Sequence, residues 1–381
     1  MDFLGPDQGK LGLPNVGNSC YLNSTIQCLA GTPELLSYFF QSVKSDSGQS
    51  IRRYKIDMSN VKTIKNNKTN TKQKLMDAWY NLLYQLWGTK GRVNPLPFYR
   101  LIGNVANESK VSISVSGGQN DFQEFLILLM DSLHDVLSYE TKMNIVGTEK
   151  NNMDRMSVIA YTNYIKHFEK DYSIFVKLFT GQISTSTIGE CGHESIIFDP
   201  IKFLNLVIPP SEKTLTIFDL FENYVKESYL TLYKNQNGDI IDERWFCDKC
   251  NTKVNAKTKN SIWELPKYLI ISLGRYQYFP RPCKINTNVV YPLENLDMNN
   301  FHSGFKNESM KYNLYAVSNH FGNQSGGHYT AYRKNPDNKW YSFNDETVGE
   351  IPNPESIVVS NSAYCLFYER TSSQNKIMKQ K

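Results

Sequence analysis

The chain has 381 residues, 40% hydrophobic and 21% charged, with a formal net charge of +5. That length suits one large domain or two ordinary ones, and the apolar share is enough for a sizeable core. The small net charge leaves no nucleic-acid footprint, no apolar run of about twenty residues suggests a membrane span, and seven scattered cysteines do not make a secreted disulfide framework.

The start, Met1-Asp2-Phe3-Leu4-Gly5-Pro6, has neither a basic n-region nor an apolar h-region. A reducing cytoplasmic or nuclear location is therefore expected. The first informative stretch is Gly12–Gln27, where Asn15, Gly17, Asn18 and Ser19 precede Cys20. From Cys20 onward, Leu22, Ile26 and Leu29 recur at helical spacing, and Gly31-Thr32-Pro33 ends the run. Residues 52–75 carry eight Lys and Arg among Asn and Thr, which reads as a solvated insertion. A second helical pattern covers Leu75 to Trp87. A stronger one follows Gly117-Gly118, with Phe122, Phe125, Leu126, Leu129, Leu133 and Leu137 on one face and Asp121 and Glu124 in the first turn, where the helix dipole favours acids.

From about Phe175 the pattern changes to short β-branched and aromatic runs: 184–188, 195–198, 268–273, 313–317, 328–333, 339–343 and 363–369. Helices first and strands afterwards argue for an α+β fold. The end, after Arg370, is polar.

Cys20 at a loop-to-helix junction suits a nucleophile. A thiol attacks as thiolate, and a helix N-terminus favours the anion. The Asn15 side-chain amide and the Cys20 backbone N–H are candidate oxyanion donors, with Asn18 as an alternative donor or cap. The bland alternative is an inert buried cysteine; Cys28, at a core position of the same helix, is assigned that role. His328 follows Gly326 and Gly327 and opens a strand run. The tetrapeptide Asn335-Pro336-Asp337-Asn338 closes a hairpin. A symmetric register sets His328 opposite Asp345, and a one-residue bulge presents Asn344 instead. Either group could accept the imidazole Nδ1–H. His320 is expected in a loop lining the site, and His134, His167 and His302 have no comparable context.

With these residues in hand, the chain resembles the ubiquitin-specific protease family of cysteine deubiquitinases. The Cys-box match is Gly12–Gln27 and the His-box match Tyr312–Glu369, with Cys191-Gly192-His193, Cys247-Asp248-Lys249-Cys250 and Leu265-Pro266-Lys267-Tyr268-Leu269 between them in family order. The resemblance implies a papain-like hand over residues 11–370: a helical thumb at about 11–170, β-stranded fingers at about 180–275, and a β-rich palm mainly at 276–370, before a polar tail at 371–381. It implies Cys20 as nucleophile, His328 as general base, Asn344 as orienter with Asp345 accessory, and Asn15 as oxyanion donor. Asp121 and Glu124 would meet the arginines of the ubiquitin tail, and the segment His320–Gly326, with Gly327 beside it, would flank a channel that only glycines thread. The implied partners are ubiquitin and ubiquitinated proteins, with no nucleic acid and no membrane. No cofactor is implied for catalysis. A structural zinc on Cys191, His193, Cys247 and Cys250 is implied at the fingertips, with Ile188 where the family has a further cysteine. The implied reaction is hydrolysis after the terminal glycine of ubiquitin. The rival readings are a protease for another Gly-Gly-ended modifier and a catalytically silent ubiquitin-binding scaffold.

Overall fold

The computed structural model describes residues 8–40, 42–44, 50–52, 70–88, 91–113, 118, 120–209, 211–235, 238–277, 283–305, 309–323 and 326–371. Most of the basic stretch, 53–69, and nearly all of the polar tail lie outside the described residues. The far end of that stretch is not an insertion, because a helix already begins at Asn70.

Most of the described helices come first: α1 (Cys20–Leu29), α2 (Pro33–Phe40), α3 (Asn70–Gly88), α4 (Leu96–Glu108), α5 (Phe122–Leu137), α6 (Asn152–Phe168) and α7 (Ile174–Phe179). Two further short helices, Ile217–Tyr224 and Pro354–Ile357, fall among the strands. Helix α5 covers the span its periodicity predicts. The Asp121 carboxylate starts it by accepting the N–H groups of Gln123 and Glu124. Helix α1 is buried on every side. Its Tyr21 ring meets Phe125 of α5 edge-on at 5.7 Å. On the other side, Ser24 Oγ donates to the carbonyl of Thr330 at 2.9 Å and lies 2.8 Å from Ser318 Oγ.

The strands follow: β1 (Gly181–Gly189), β2 (Glu194–Ile201), β3 (Leu204–Val207), β4 (Ser228–Leu230), β5 (Trp245–Cys247), β6 (Thr252–Val254), β7 (Ala256–Glu264), β8 (Tyr268–Gly274), β9 (Leu296–Asp297), β10 (Lys311–Asn323), β11 (Gly326–Lys334), β12 (Trp340–Asn344), β13 (Thr347–Ile351) and β14 (Ala363–Arg370). A smaller sheet has the order β2-β1-β7-β4. The main sheet runs β13-β12-β11-β10-β14-β8-β3, with β9 also on β10. It is antiparallel except where β3 joins β8.

The middle of the main sheet is covered on both faces. Along β14, Tyr364, Cys365 and Phe367 pack with the helices, while Leu366 and Tyr368 pack into a second core with Leu220 and Phe221. From Cys365 to Tyr368 the period-2 alternation of strand side chains sends neighbours to opposite faces. A strand buried on both faces reads as a continuous apolar run, which is why 363–368 lacks the alternation of a surface strand.

Arg333, on β11, is 1% exposed. It donates to the carbonyls of Gln27 and Gly9, to Gln27 Oε1 and to Asn335 Oδ1. Its guanidinium lies between the rings of Trp87 and Phe343, with centroids at 4.8 and 4.4 Å. This one side chain joins the strand that carries His328 to α1 and α3.

Candidate active site

The loop before α1 is shaped by close approach. A Cβ on Gly12 would lie 2.4 Å from the carbonyl oxygen of Asp345, and that carbonyl accepts the Leu13 N–H at 2.9 Å. Gly17 and Asn18 both have positive φ, +96° and 55°, a pair of left-handed residues that glycine and asparagine tolerate best. Ser19 N–H then donates to Asn15 Oδ1 at 3.1 Å, and Val16 N–H donates to Ser19 Oγ at 3.0 Å. The outcome is a tight turn that delivers Cys20 to the first position of α1.

Cys20 is 7% exposed. Helix-start placement leads one to expect a depressed thiol pKa, and the structure corrects this. Burial pushes the thiol up, opposed by the backbone of Tyr329, and the negative charge of Asp345 adds to the upward shift. Desolvation of the thiolate outweighs the unpaired N–H groups of the first turn.

His328 lies near the start of β11 and Asn344 ends β12. Asn344 Oδ1 is 2.6 Å from His328 Nε2. An amide oxygen only accepts, so the hydrogen sits on Nε2 and the lone pair on Nδ1. This reverses the expectation that Nδ1–H faces the orienting group. Asp345 Oδ2 lies farther off, 3.9 Å from the same nitrogen. The symmetric register is also corrected. Ala331 pairs with Phe343 and Lys334 with Trp340, one residue off the alignment of His328 with Asp345. The turn explains the offset. Asn338 has φ 62°, and Asn335 N–H bonds to the Lys339 carbonyl at 2.9 Å. The loop is therefore three residues, 336–338, with a left-handed residue at its end, and this shifts the pairing by one.

Asp345 is the hub behind these groups. Its Oδ2 accepts from Asn15 Nδ2 at 2.9 Å, and its Oδ1 accepts from Asn23 Nδ2 at 2.6 Å. Asn15 thus has its oxygen on Ser19 and one amide hydrogen on Asp345. Sequence reasoning missed Asn23, Ser19 and Tyr99. The available signal for the first two was the cluster of polar residues at 19, 23, 24, 25 and 27 around a helix start that also carries Leu22, Ile26 and Leu29. Tyr99, on α4, gave no signal.

A cleft of about 620 Å³ opens between α5 and the main sheet, lined by Asp121, Glu124, Val207, Tyr276, His320, Tyr329 and Tyr364 among others. Asp121 Oδ2 accepts from Tyr364 OH at 2.6 Å, while Oδ1 caps α5. His320 is a buried strand residue, opposite Tyr329 on β11, which corrects its expected loop position. It hydrogen-bonds Tyr276 OH through Nδ1 at 2.9 Å. Burial, helped by Lys284 and His328, pulls its pKa down to about 4. Gly327 sits behind the cleft, where a Cβ would lie 2.3 Å from His320 Nε2.

Remote from this site, the sulfurs of Cys191, Cys247 and Cys250 lie within 4.8 Å of one another. Cys191 and Cys247 are 3.6 Å apart, and His193 Nδ1 is 3.3 Å from Cys247 Sγ. Thiolates on a tetrahedral zinc, about 2.3 Å from the ion, stand roughly 3.8 Å apart, so the three sulfurs fit such an ion, while the expected fourth ligand, His193, is close to Cys247 but outside the group of mutually close donors. Ile188 is exposed on β1, and the backbone at Gly189 is the part of that strand beside Cys191.

Helices packed on a long antiparallel sheet, with a thiol at a helix start and an imidazole–carboxamide pair on the sheet, make up the parts of a cysteine hydrolase. Residues 11–368 match the family model described as ubiquitin carboxyl-terminal hydrolase, and the chain belongs to that family. It is 33% identical over 380 residues to ubiquitin carboxyl-terminal hydrolase 2 of Homo sapiens, covering 97% of this chain and 56% of that protein. To the Gallus gallus protein of the same name it is 34% identical, covering 97% and 96%. The chain thus spans about half the length of most of the curated relatives it resembles, the bird protein excepted. Among solved structures it is similar to the SAGA DUB module of Ubp8, Sgf11, Sus1 and Sgf73 bound to monoubiquitin, with TM-score 0.66 and 20% identity, covering 96% of this chain and 70% of that one. The same module bound to ubiquitin aldehyde gives TM-score 0.65 at 20% identity, covering 97% and 71%. At that identity the likeness establishes the α+β fold.

Proposed function

We propose that the chain hydrolyses the isopeptide or peptide bond after the C-terminal glycine of ubiquitin. The observation that carries this reading is the Asn344–His328 contact, 2.6 Å through Nε2, which leaves Nδ1 free to act on the thiol of Cys20. His328 Nδ1 takes the thiol proton as the sulfur adds to the carbonyl carbon. The oxyanion draws on the second Asn15 amide hydrogen and the Cys20 backbone N–H. His328 then gives its proton to the leaving amine, and water attacks the thioester to free the carboxylate and restore the thiol. The cleft beside Tyr329 supports an extended tail as substrate, with Glu124 exposed on its wall. Cys191, Cys247, Cys250 and His193 would hold a structural zinc that fastens the β1–β2 turn to the β5–β6 turn. Seven free thiols suit a cytoplasmic or nuclear setting.

The test is turnover of a ubiquitin–fluorophore conjugate beside conjugates of other Gly-Gly-ended modifiers. Cys20→Ala should abolish cleavage and retain ubiquitin binding. Preference for another modifier would redirect the substrate assignment. A ubiquitin–vinyl probe that adds no mass at Cys20 would leave only a binding scaffold. Elemental analysis of the purified chain should give one zinc per molecule, lost in Cys247→Ser.

A further inference from the structure

We propose that Asn23, locked by Tyr99, is a positioning residue for the hydrolysis, setting Asn15 and Asp345 without touching substrate; the inference rests on the hydrolase reading above. Asn23 is 3% exposed. Its Nδ2 donates to the Leu13 carbonyl at 3.1 Å, to the Pro14 carbonyl at 3.4 Å and to Asp345 Oδ1 at 2.6 Å. One amide thereby ties the strip carrying Asn15 to the turn carrying Asn344 and Asp345.

The orientation of that amide is fixed from the other side. A flipped Asn23 would turn its oxygen toward two carbonyls and a carboxylate, all acceptors. The hydroxyl of Tyr99, a residue 2% exposed, donates to Asn23 Oδ1 and holds the amide the productive way round. Burial keeps the Tyr99 phenol protonated, its acidity suppressed well below that of a free tyrosine, so the donor persists across the working pH range. Asp345 in turn accepts from Asn15 Nδ2 at 2.9 Å. The chain Tyr99–Asn23–Asp345–Asn15 therefore runs from the interior of α4 to the candidate oxyanion donor, and none of its first three members needs to meet the substrate.

The test is a kinetic cycle on the full chain with a ubiquitin–fluorophore substrate. Tyr99→Phe removes one oxygen and should lower kcat roughly tenfold with KM within about twofold, and Asn23→Ala should lower kcat on the order of 10²-fold. In an Asp345→Ala background, Tyr99→Phe should have little further effect on kcat, because the relay reaches Asn15 through that carboxylate. Melting curves accompany each variant; should Asn23→Ala fail to fold, Tyr99→Phe carries the test alone. An unchanged kcat, a loss confined to KM, or full additivity with Asp345→Ala overturns the proposal. If the wild-type chain itself does not cleave ubiquitin, the hydrolase reading falls, and the relay is read from Cys20 alkylation by iodoacetamide across the alkaline range. There Tyr99→Phe should shift the midpoint, since Asp345 acts on the thiol. An identical profile would refute the relay.

Discussion

Asn344 Oδ1 sits 2.6 Å from His328 Nε2, across the end of the β11–β12 hairpin. The neighbouring Asp345 is 3.9 Å from the same nitrogen and spends both carboxylate oxygens on Asn15 and Asn23. The amide therefore fixes the imidazole, and the carboxylate fixes the loop. Asn344→Ala should lower kcat about 10²-fold with KM little changed, as expected when a base loses its orienting partner. Asp345→Ala should lower kcat too, but it also frees Asn15, so its loss should be largely absent in an Asn15→Ala background. Steady-state kinetics on the three variants and the double variant separate the roles. Equal, additive losses would contradict the division.

How much of this was legible in the sequence depended on whether local periodicity or long-range pairing decided it. Helix α5 is announced by Asp121 and six apolar residues on one face, and the strand runs at 268–273 and 363–369 announce themselves by β-branched and aromatic content. The closeness of His328 to Asn344 followed from a turn-forming tetrapeptide. Its register did not, because Asn338 takes a left-handed conformation that closes the loop in three residues instead of four. The Cys20 motif pointed to a depressed thiol pKa, yet burial against β11, a contact between residues over three hundred positions apart, raises it. Tyr99 was invisible for the same reason, and Asn23 showed only as one polar residue among several at a helix start. Their significance lies in partners supplied by other segments.

The two acids of the α5 first turn should behave differently. Asp121 is committed to the α5 cap and to Tyr364, so Asp121→Ala should destabilise the fold by about 1–2 kcal/mol through the lost cap and the orphaned hydroxyl. Glu124 is exposed on the cleft wall. Glu124→Lys should leave stability within about 0.5 kcal/mol and raise KM for a ubiquitin substrate several-fold, less so at high salt. Urea denaturation and Michaelis kinetics at two ionic strengths check both statements. A Glu124→Lys variant with unaltered KM would remove this side chain from substrate recognition.

His320 gives the chain an acid-sensitive element. Its folded pKa of about 4 lies below the ordinary 6.5, so the folded state resists a proton that the unfolded chain binds readily. The stability held by the neutral ring is complete above about pH 6.5 and falls as the pH drops toward 4. The expected loss over that window is roughly 3 kcal/mol. His320→Gln should flatten this part of the stability–pH curve, measured by urea unfolding at successive pH values. An equally steep curve in the variant would assign the acid sensitivity to other groups.

Arg333 is the strongest single determinant of how β11 meets the helices. Neutral acceptors on Gly9, Gln27 and Asn335 hold its guanidinium, and burial draws its pKa down to about 9, still cationic at neutral pH. Arg333→Met keeps much of the volume between Trp87 and Phe343 but strands those acceptors in a dry interior, which should cost about 3 kcal/mol or more. Lysine should not rescue it, because a point charge with three donors cannot reproduce a planar fork stacked between two rings. Thermal unfolding should therefore show both variants melting several degrees lower. At temperatures where they remain folded, kcat should fall more than ubiquitin affinity, since the displaced strand carries His328 and leaves the acidic wall of the cleft in place. A lysine variant with wild-type melting and turnover would show that charge alone, without the fork, suffices to seat the strand.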